Sequence, residues 1–146
     1  MPDLPKADWA HLIPHAGNMC LLDVVRDFDD TSIHAASLGH RDHDHPLRSE
    51  HGLHAVHLAE YGAQAVAVHG ALMARQAGHE EVRPGRLVSL RDVLLTLDRI
   101  DTLSEAIDVH AERLYADDAG AQYIFRIEHA GNLLASGRVA VIHPRA

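Results

Sequence analysis

Glu60 and Gln64 stand four residues apart in a run that is otherwise almost wholly apolar, from Ala55 through Val56, Leu58, Ala65, Val66 and Val68 to Leu72. At that spacing they share one face of a helix. A carboxylate removed from water is costly unless it is paired or protonated. Burial also raises a carboxyl pKa, which suits a general acid at neutral pH. A structural reading of the same pair is equally open: Glu60 lies at a solvent-facing helix edge, or is hydrogen-bonded to Gln64 to fix packing.

Acid–base chemistry needs a second group, and the stretch before this run is rich in imidazole. His40, His43, His45, His51, His54 and His57 all fall in it or at the start of the run. Histidine removes protons near pH 7. The chain has 14 histidines, so most of them are surface or structural residues. The segment His40-Arg41-Asp42-His43-Asp44-His45 also carries zinc- or nickel-ligand types. Its spacing matches no zinc-hydrolase or zinc-finger pattern, and no His-Glu-x-x-His is present, so no metal is expected. Cys20 is the single cysteine and falls in a predicted strand; no Gly-x-Ser-x-Gly elbow exists.

The elements that must position these residues follow from pattern. Residues 54–76 read as one helix closed by Gly78. Its apolar residues go nearly all the way round, so it is buried on most sides. Gly62, Ala63, Ala67, Gly70 and Ala74 are small enough to let other backbone come close. Strands are predicted over Met19–Phe28, Thr31–Leu38, Arg86–Leu97, Glu105–Tyr115, Gln122–His129 and Leu133–His143. Turns fall at Asp29-Asp30, Asp117–Gly120 and Ala130–Asn132. A short helical turn over Asp8–Leu12 takes Asp8 as its N-cap. Pro14 and Gly17 break the chain after it. One buried helix among antiparallel strands gives an α+β fold, a sheet wrapped around a helix. Its open edges call for pairing with another chain.

The 146 residues fit one domain over 1–146, and 47% hydrophobic content implies a packed core. A net charge of −8 argues against nucleic acid as a partner. No basic leader with an apolar run opens the chain, and no uninterrupted apolar stretch of about 18 residues occurs. A soluble, cytoplasmic protein without a membrane partner is expected.

Ile13-Pro14-His15 followed by Met19-Cys20-Leu21-Leu22-Asp23-Val24-Val25 resembles the opening of the bacterial 3-hydroxyacyl-acyl-carrier-protein dehydratases. Glu60-Tyr61-Gly62-Ala63-Gln64-Ala65 is similar to their central helix, where a catalytic carboxylate precedes Gln by four residues. With His45-Pro46-Leu47-Arg48 included, the pattern is closest to the branch associated with aryl polyene clusters. The resemblance implies a hotdog-fold dimer with its active site between subunits and no cofactor. It also implies an acyl carrier protein partner bearing a phosphopantetheine-linked acyl chain. The dimer would be formed by two copies or with a related dehydratase.

In that scheme His45 removes the C2 proton of the acyl thioester. Glu60 of the other subunit protonates the departing C3 hydroxyl, and Gln64 belongs to the substrate site. Amides at Ala55 and Val56 polarise the thioester carbonyl. The chain departs from the family's loop: it lacks the Gly-His-Phe-Pro-Gly core, and His45 to Glu60 is one residue longer. His43 and His51 are therefore alternative bases. A thioesterase using Glu60 to activate water, and a non-catalytic subunit of a mixed dehydratase pair, are the rival functions. Carrier proteins are acidic as a class, so docking needs a basic patch. Arg75, Arg83, Arg86, Arg91 and Arg99 either supply it or balance Glu80, Glu81, Asp92 and Asp98.

Overall fold

The long helix predicted for residues 54–76 is present: a 3-10 turn over Ala55–His57 leads directly into α1, Leu58–Gln76. The computed structural model describes residues 3–13, 17–78 and 86–143. His54 opens the helix, its Nδ1 accepting from the Val56 N–H at 2.9 Å. Gly78 closes it with φ +84°, a left-handed conformation that costs glycine little. No residue from Leu58 to Ala74 is fully exposed, as an apolar pattern on all sides requires.

Seven antiparallel strands enclose α1 among the described residues: β1 Leu4–Pro5, β2 Val24–Phe28, β3 Ser32–Ser37, β4 Arg86–Leu95, β5 Ile107–Ala116, β6 Gly120–His129 and β7 Asn132–Ile142. Their order across the sheet is β1-β2-β3-β5-β6-β7-β4. This is the hotdog architecture. Alternation sets which side chains face α1. Ala121, Tyr123, Phe125 and Ile127 of β6 are buried, whereas Gln122 and Arg126 are exposed. Tight turns fix the register. Asp29 Oδ1 accepts from the Thr31 and Ser32 amides, and Asp117 Oδ1 from those of Ala119 and Gly120. Ala130 and Gly131 both take positive φ, which suits a two-residue hairpin.

Small residues on α1 matter most where Phe125 enters. A methyl group added at Gly62 would lie 2.7 Å from the Phe125 ring, and one added at Gly137 of β7 2.6 Å from its other end. The ring is slotted between two glycines and has no room to retreat. Gly62→Ala gains roughly 1 kcal/mol of helix propensity. Overpacking by one methyl costs about 1–3 kcal/mol in a core that cannot move aside. With the ring only 2.7 Å from the added methyl, the upper part of that range, about 2–3 kcal/mol, applies, and a net loss of about 1–2 kcal/mol in urea unfolding is expected. Adding Phe125→Leu should recover part of it. An unchanged midpoint for Gly62→Ala would show that the ring is not held this way.

Two local expectations are corrected. The strand predicted from Met19 starts only at Val24, because side chains rather than a neighbouring strand satisfy the preceding backbone. Lys6 Nζ donates to the Cys20 carbonyl at 3.0 Å, Gln64 Oε1 accepts from the Leu21 N–H at 2.8 Å, and Ser37 Oγ donates to the Leu21 carbonyl at 2.7 Å. Cys20 is buried there, outside any strand, and desolvation pushes its thiol pKa up. Asp8 caps nothing. It ends a first 3-10 turn, Lys6–Asp8, and a second, Ala10–Leu12, follows without a side-chain cap. Pro14 and His15 lie outside the described residues.

The sheet ends in β1, only two residues long, and in the ten-residue β4. Leu90, Val93 and Leu94 of β4 are exposed beside that second edge. No helix among the described residues is long and apolar enough to cross a membrane.

Candidate functional site

The first two turns of α1 carry Glu60, Tyr61 and Gln64, and each faces a different segment. Gln64 is fully buried. It accepts from the Leu21 N–H at 2.8 Å and donates to the Met19 carbonyl at 2.7 Å and to Glu60 Oε1 at 3.2 Å. The amide is thereby fixed at both ends, and it holds Glu60 from one side. Glu60 itself is half-buried rather than enclosed. The pairing foreseen as the structural reading exists. The Gln64 side chain is enclosed and engaged three times.

The amides at the helix start are engaged as well. The Ala55 N–H donates to the Asp98 carbonyl at 2.7 Å, and the Val56 N–H to His54 Nδ1 at 2.9 Å. Both amides thus have acceptors within this chain. Ala55 is fully buried, and the Val56 side chain is exposed at the mouth of the helix.

His45 turns inward and is 8% exposed. Its Nε2 lies 2.9 Å from Tyr61 Oη, and its Nδ1 accepts from the Leu47 N–H at 3.1 Å. Burial pushes its pKa down, as do the neighbouring His57, His40 and Arg48, while Asp42 acts in the opposite sense. The imidazole is thus neutral at pH 7. Its partner Tyr61 is the residue after Glu60, about 100° further round the helix. One chain therefore brings His45 to the same helical turn as Glu60.

The other loop histidines separate. His40 is buried and bonds through Nε2 to the Leu103 carbonyl at 2.9 Å, leaving Nδ1 without a partner. His43 and His51 are exposed, His51 beside Glu50 at 3.3 Å. His57 is half-buried.

Asp101 anchors the loop to the body. Its carboxylate takes two bonds from Arg99, at 3.1 and 2.7 Å, and one from the Leu53 N–H at 3.0 Å, with Arg48 3.7 Å away. These partners, Arg99 first, hold its carboxyl well below the usual range. Sequence reasoning missed both Asp101 and Tyr61. Tyr61 had one usable signal: a phenol inside an apolar helix must find a hydrogen-bond partner.

The arginines considered for carrier docking are only partly free to act. Arg99 is paired with Asp101, and Arg75 donates to the Asp8 carbonyl at 3.0 Å. Arg91 is exposed, Asp92 pairs with Arg138 at 3.5 Å, and the side chains of Arg83 and Arg86 lie outside the described residues. A cavity of about 580 Å³ opens elsewhere, against His34, His110, Glu112, Arg126 and Arg138. None of the candidate site residues lines it.

Comparison with known proteins places this geometry. A chain of the dehydratase heterocomplex ApeI:P from Xenorhabdus doucetiae superposes with a TM-score of 0.84 at 23% identity, covering 97% of this chain and 92% of that one. AziG from S. sahachiroi gives a TM-score of 0.64 at 14% identity, covering 86% and 92%. A thioesterase from Haemophilus influenzae gives 0.62 at 14%, covering 83% and 76%. At these identities the likeness establishes the fold. No curated protein gives a significant match. The ApeP-like family, described as ApeP dehydratase, matches across residues 7–146, and the chain belongs to that dehydratase family.

Proposed function

We propose that this chain dehydrates a 3-hydroxyacyl thioester carried by an acyl carrier protein, giving the 2-enoyl thioester during fatty-acid- or aryl-polyene-type chain elongation. The observation that carries the reading is the Gln64 clamp, which holds Glu60 half-exposed on a buried helix of a dehydratase-family chain. Glu60 protonates the leaving C3 hydroxyl, and His45 is the base for C2. Gln64 positions Glu60, and the exposed Val56 side chain meets the acyl chain or its pantetheine arm. The open β4 edge, with Leu90, Val93 and Leu94 beside it, supports pairing with a second hotdog chain. The similar Xenorhabdus protein belongs to a dehydratase heterocomplex, so a related dehydratase is a natural partner alongside a second copy.

One observation favours a second reading, a non-catalytic subunit that completes a mixed dehydratase pair. Both ring nitrogens of His45 already have partners within the chain. Mass spectrometry of 3-hydroxyacyl- and enoyl-carrier substrates incubated with the protein separates the cases. Loss or gain of water is expected for the dehydratase. Release of free acid would make it a thioesterase. No change, beside an active control dehydratase, would establish the completing subunit.

A further inference from the structure

We infer that Tyr61 is the positioning residue of this site, holding the Nε2–H of His45 so that Nδ1 is the nitrogen that takes the substrate proton. The inference rests on the dehydratase reading for the reaction, but not for the tautomer. A backbone amide only donates, so His45 Nδ1, which accepts from the Leu47 N–H at 3.1 Å, carries a lone pair. In the neutral ring the proton is then on Nε2, which donates to Tyr61 Oη at 2.9 Å. The Tyr61 hydroxyl has its own outlet in Ser37, which lies against it. Ser37 Oγ donates to the Leu21 carbonyl at 2.7 Å and is left to accept.

Tyr61 and Ser37 are enclosed and His45 nearly so, hence water does not compete for these bonds. The same donors and acceptors continue to the carboxylate. The Leu21 N–H donates to Gln64, and Gln64 donates to Glu60. Base and acid are thus braced through one segment, residues 19–21. The brace is mechanical, because the two Leu21 bonds belong to different peptide units.

The chemistry fits this assignment. The substrate C2–H displaces the Leu47 N–H from Nδ1. Its proton passes to Nδ1, and the electron pair forms the C2–C3 double bond as the C3–O bond breaks. The hydroxyl leaves as water with the proton of Glu60, and exchange with solvent resets both groups. Throughout, Tyr61 Oη keeps accepting from Nε2–H, which stabilises the imidazolium and preserves its orientation, the task a triad carboxylate performs in other enzymes.

The test combines a spectroscopic and a kinetic arm. In ¹⁵N-labelled wild-type protein near neutral pH, long-range ¹H–¹⁵N correlation should show His45 protonated at Nε2 and bare at Nδ1. Tyr61→Phe keeps the Leu47 N–H on Nδ1 and so the tautomer, but removes the acceptor of Nε2–H, whose resonance should shift and exchange faster with water. With a 3-hydroxyacyl-carrier substrate the variant should lose about 10²-fold in kcat, with KM little changed and the acid limb of its pH profile displaced. A wild-type ring protonated at Nδ1, or a Tyr61→Phe variant with unaltered Nε2–H resonance and kcat, overturns the inference. Should Tyr61→Phe fail to fold, the wild-type Nε2–H decides: slow exchange with water is expected of a proton held by Tyr61 Oη, and exchange as fast as in free imidazole overturns the inference. Should wild-type protein turn over nothing, the dehydratase reading fails, while the spectra still confirm or refute the role of Tyr61.

Discussion

Replacing Glu60 with Gln is expected to cut dehydration by about 10²–10⁴-fold, the usual range for removing a general acid, while leaving the fold intact. The substitution is isosteric and keeps an acceptor for the Gln64 amide, which at present donates to Glu60 Oε1 at 3.2 Å. Gln64 also retains its bonds to Leu21 and Met19, so residues 19–21 stay docked on α1. What disappears is the proton for the C3 hydroxyl. Turnover of a 3-hydroxyacyl-carrier substrate, read beside circular dichroism and sedimentation of the same sample, separates these effects. Near wild-type turnover would remove Glu60 as the acid. An unfolded variant would show instead that the carboxylate is needed for packing, the alternative its position always allowed.

The fold was legible because its signals are local and repeated. The apolar circumference of α1, the alternation in β6 and the Asp29 and Asp117 turns each declare one element, and they agree with one another. Residues 19–23 misled because their apolar character mimics a strand. Over residues 19–21 the carbonyls and the Leu21 N–H are satisfied by Lys6, Gln64 and Ser37, two of them far away in sequence, and only the Asp23 N–H reaches β3, at Ala36. The site was legible as residue types but not as contacts. Glu60 and Gln64 sit at fixed helical spacing, so their pairing could be foreseen. Which of six histidines turns inward depends on how the loop folds between Ser37 and Leu53, and no periodicity reports that. The amides of Ala55 and Val56 looked free because helix starts leave N–H groups unpaired. Their acceptors, Asp98 and His54, come from a distant linker and from a histidine acting as a cap.

Acidification should destabilise the protein well before its carboxylates titrate. His40 and His69 are fully buried and His45 nearly so, and desolvation is the first cause lowering each pKa from 6.5. Below about pH 6.5 the unfolded chain takes up protons at these positions while the folded chain does not. The unfolded state then binds more protons, so stability is complete above that pH and falls as pH drops toward each folded pKa. Geometry adds to desolvation. His69 Nδ1 faces the Tyr123 hydroxyl at 2.6 Å while its Nε2 donates to the Asp29 carbonyl at 2.9 Å, with Arg113 on one side and Asp29 and Asp30 on the other. A proton on Nδ1 would force Tyr123 to reverse its bond. His40 Nδ1 would gain a proton with no acceptor among the described residues, close to His129 and Arg41, with the Leu103 carbonyl at Nε2 and Asp42 acting in the opposite sense. Carboxylates held low, such as Asp101 and Asp29, lose their contribution only below the ordinary aspartate value of 3.8, so they leave this window undisturbed. Each such histidine lowers stability by at most about 1.4 kcal/mol for every pH unit below 6.5, down to its own folded pKa. Urea unfolding between about pH 7.5 and about pH 5.5 reads this directly, and His69→Gln, though less stable at neutral pH, should show a shallower slope. A flat stability across that interval would mean that these imidazoles bind protons as readily inside the fold as outside it.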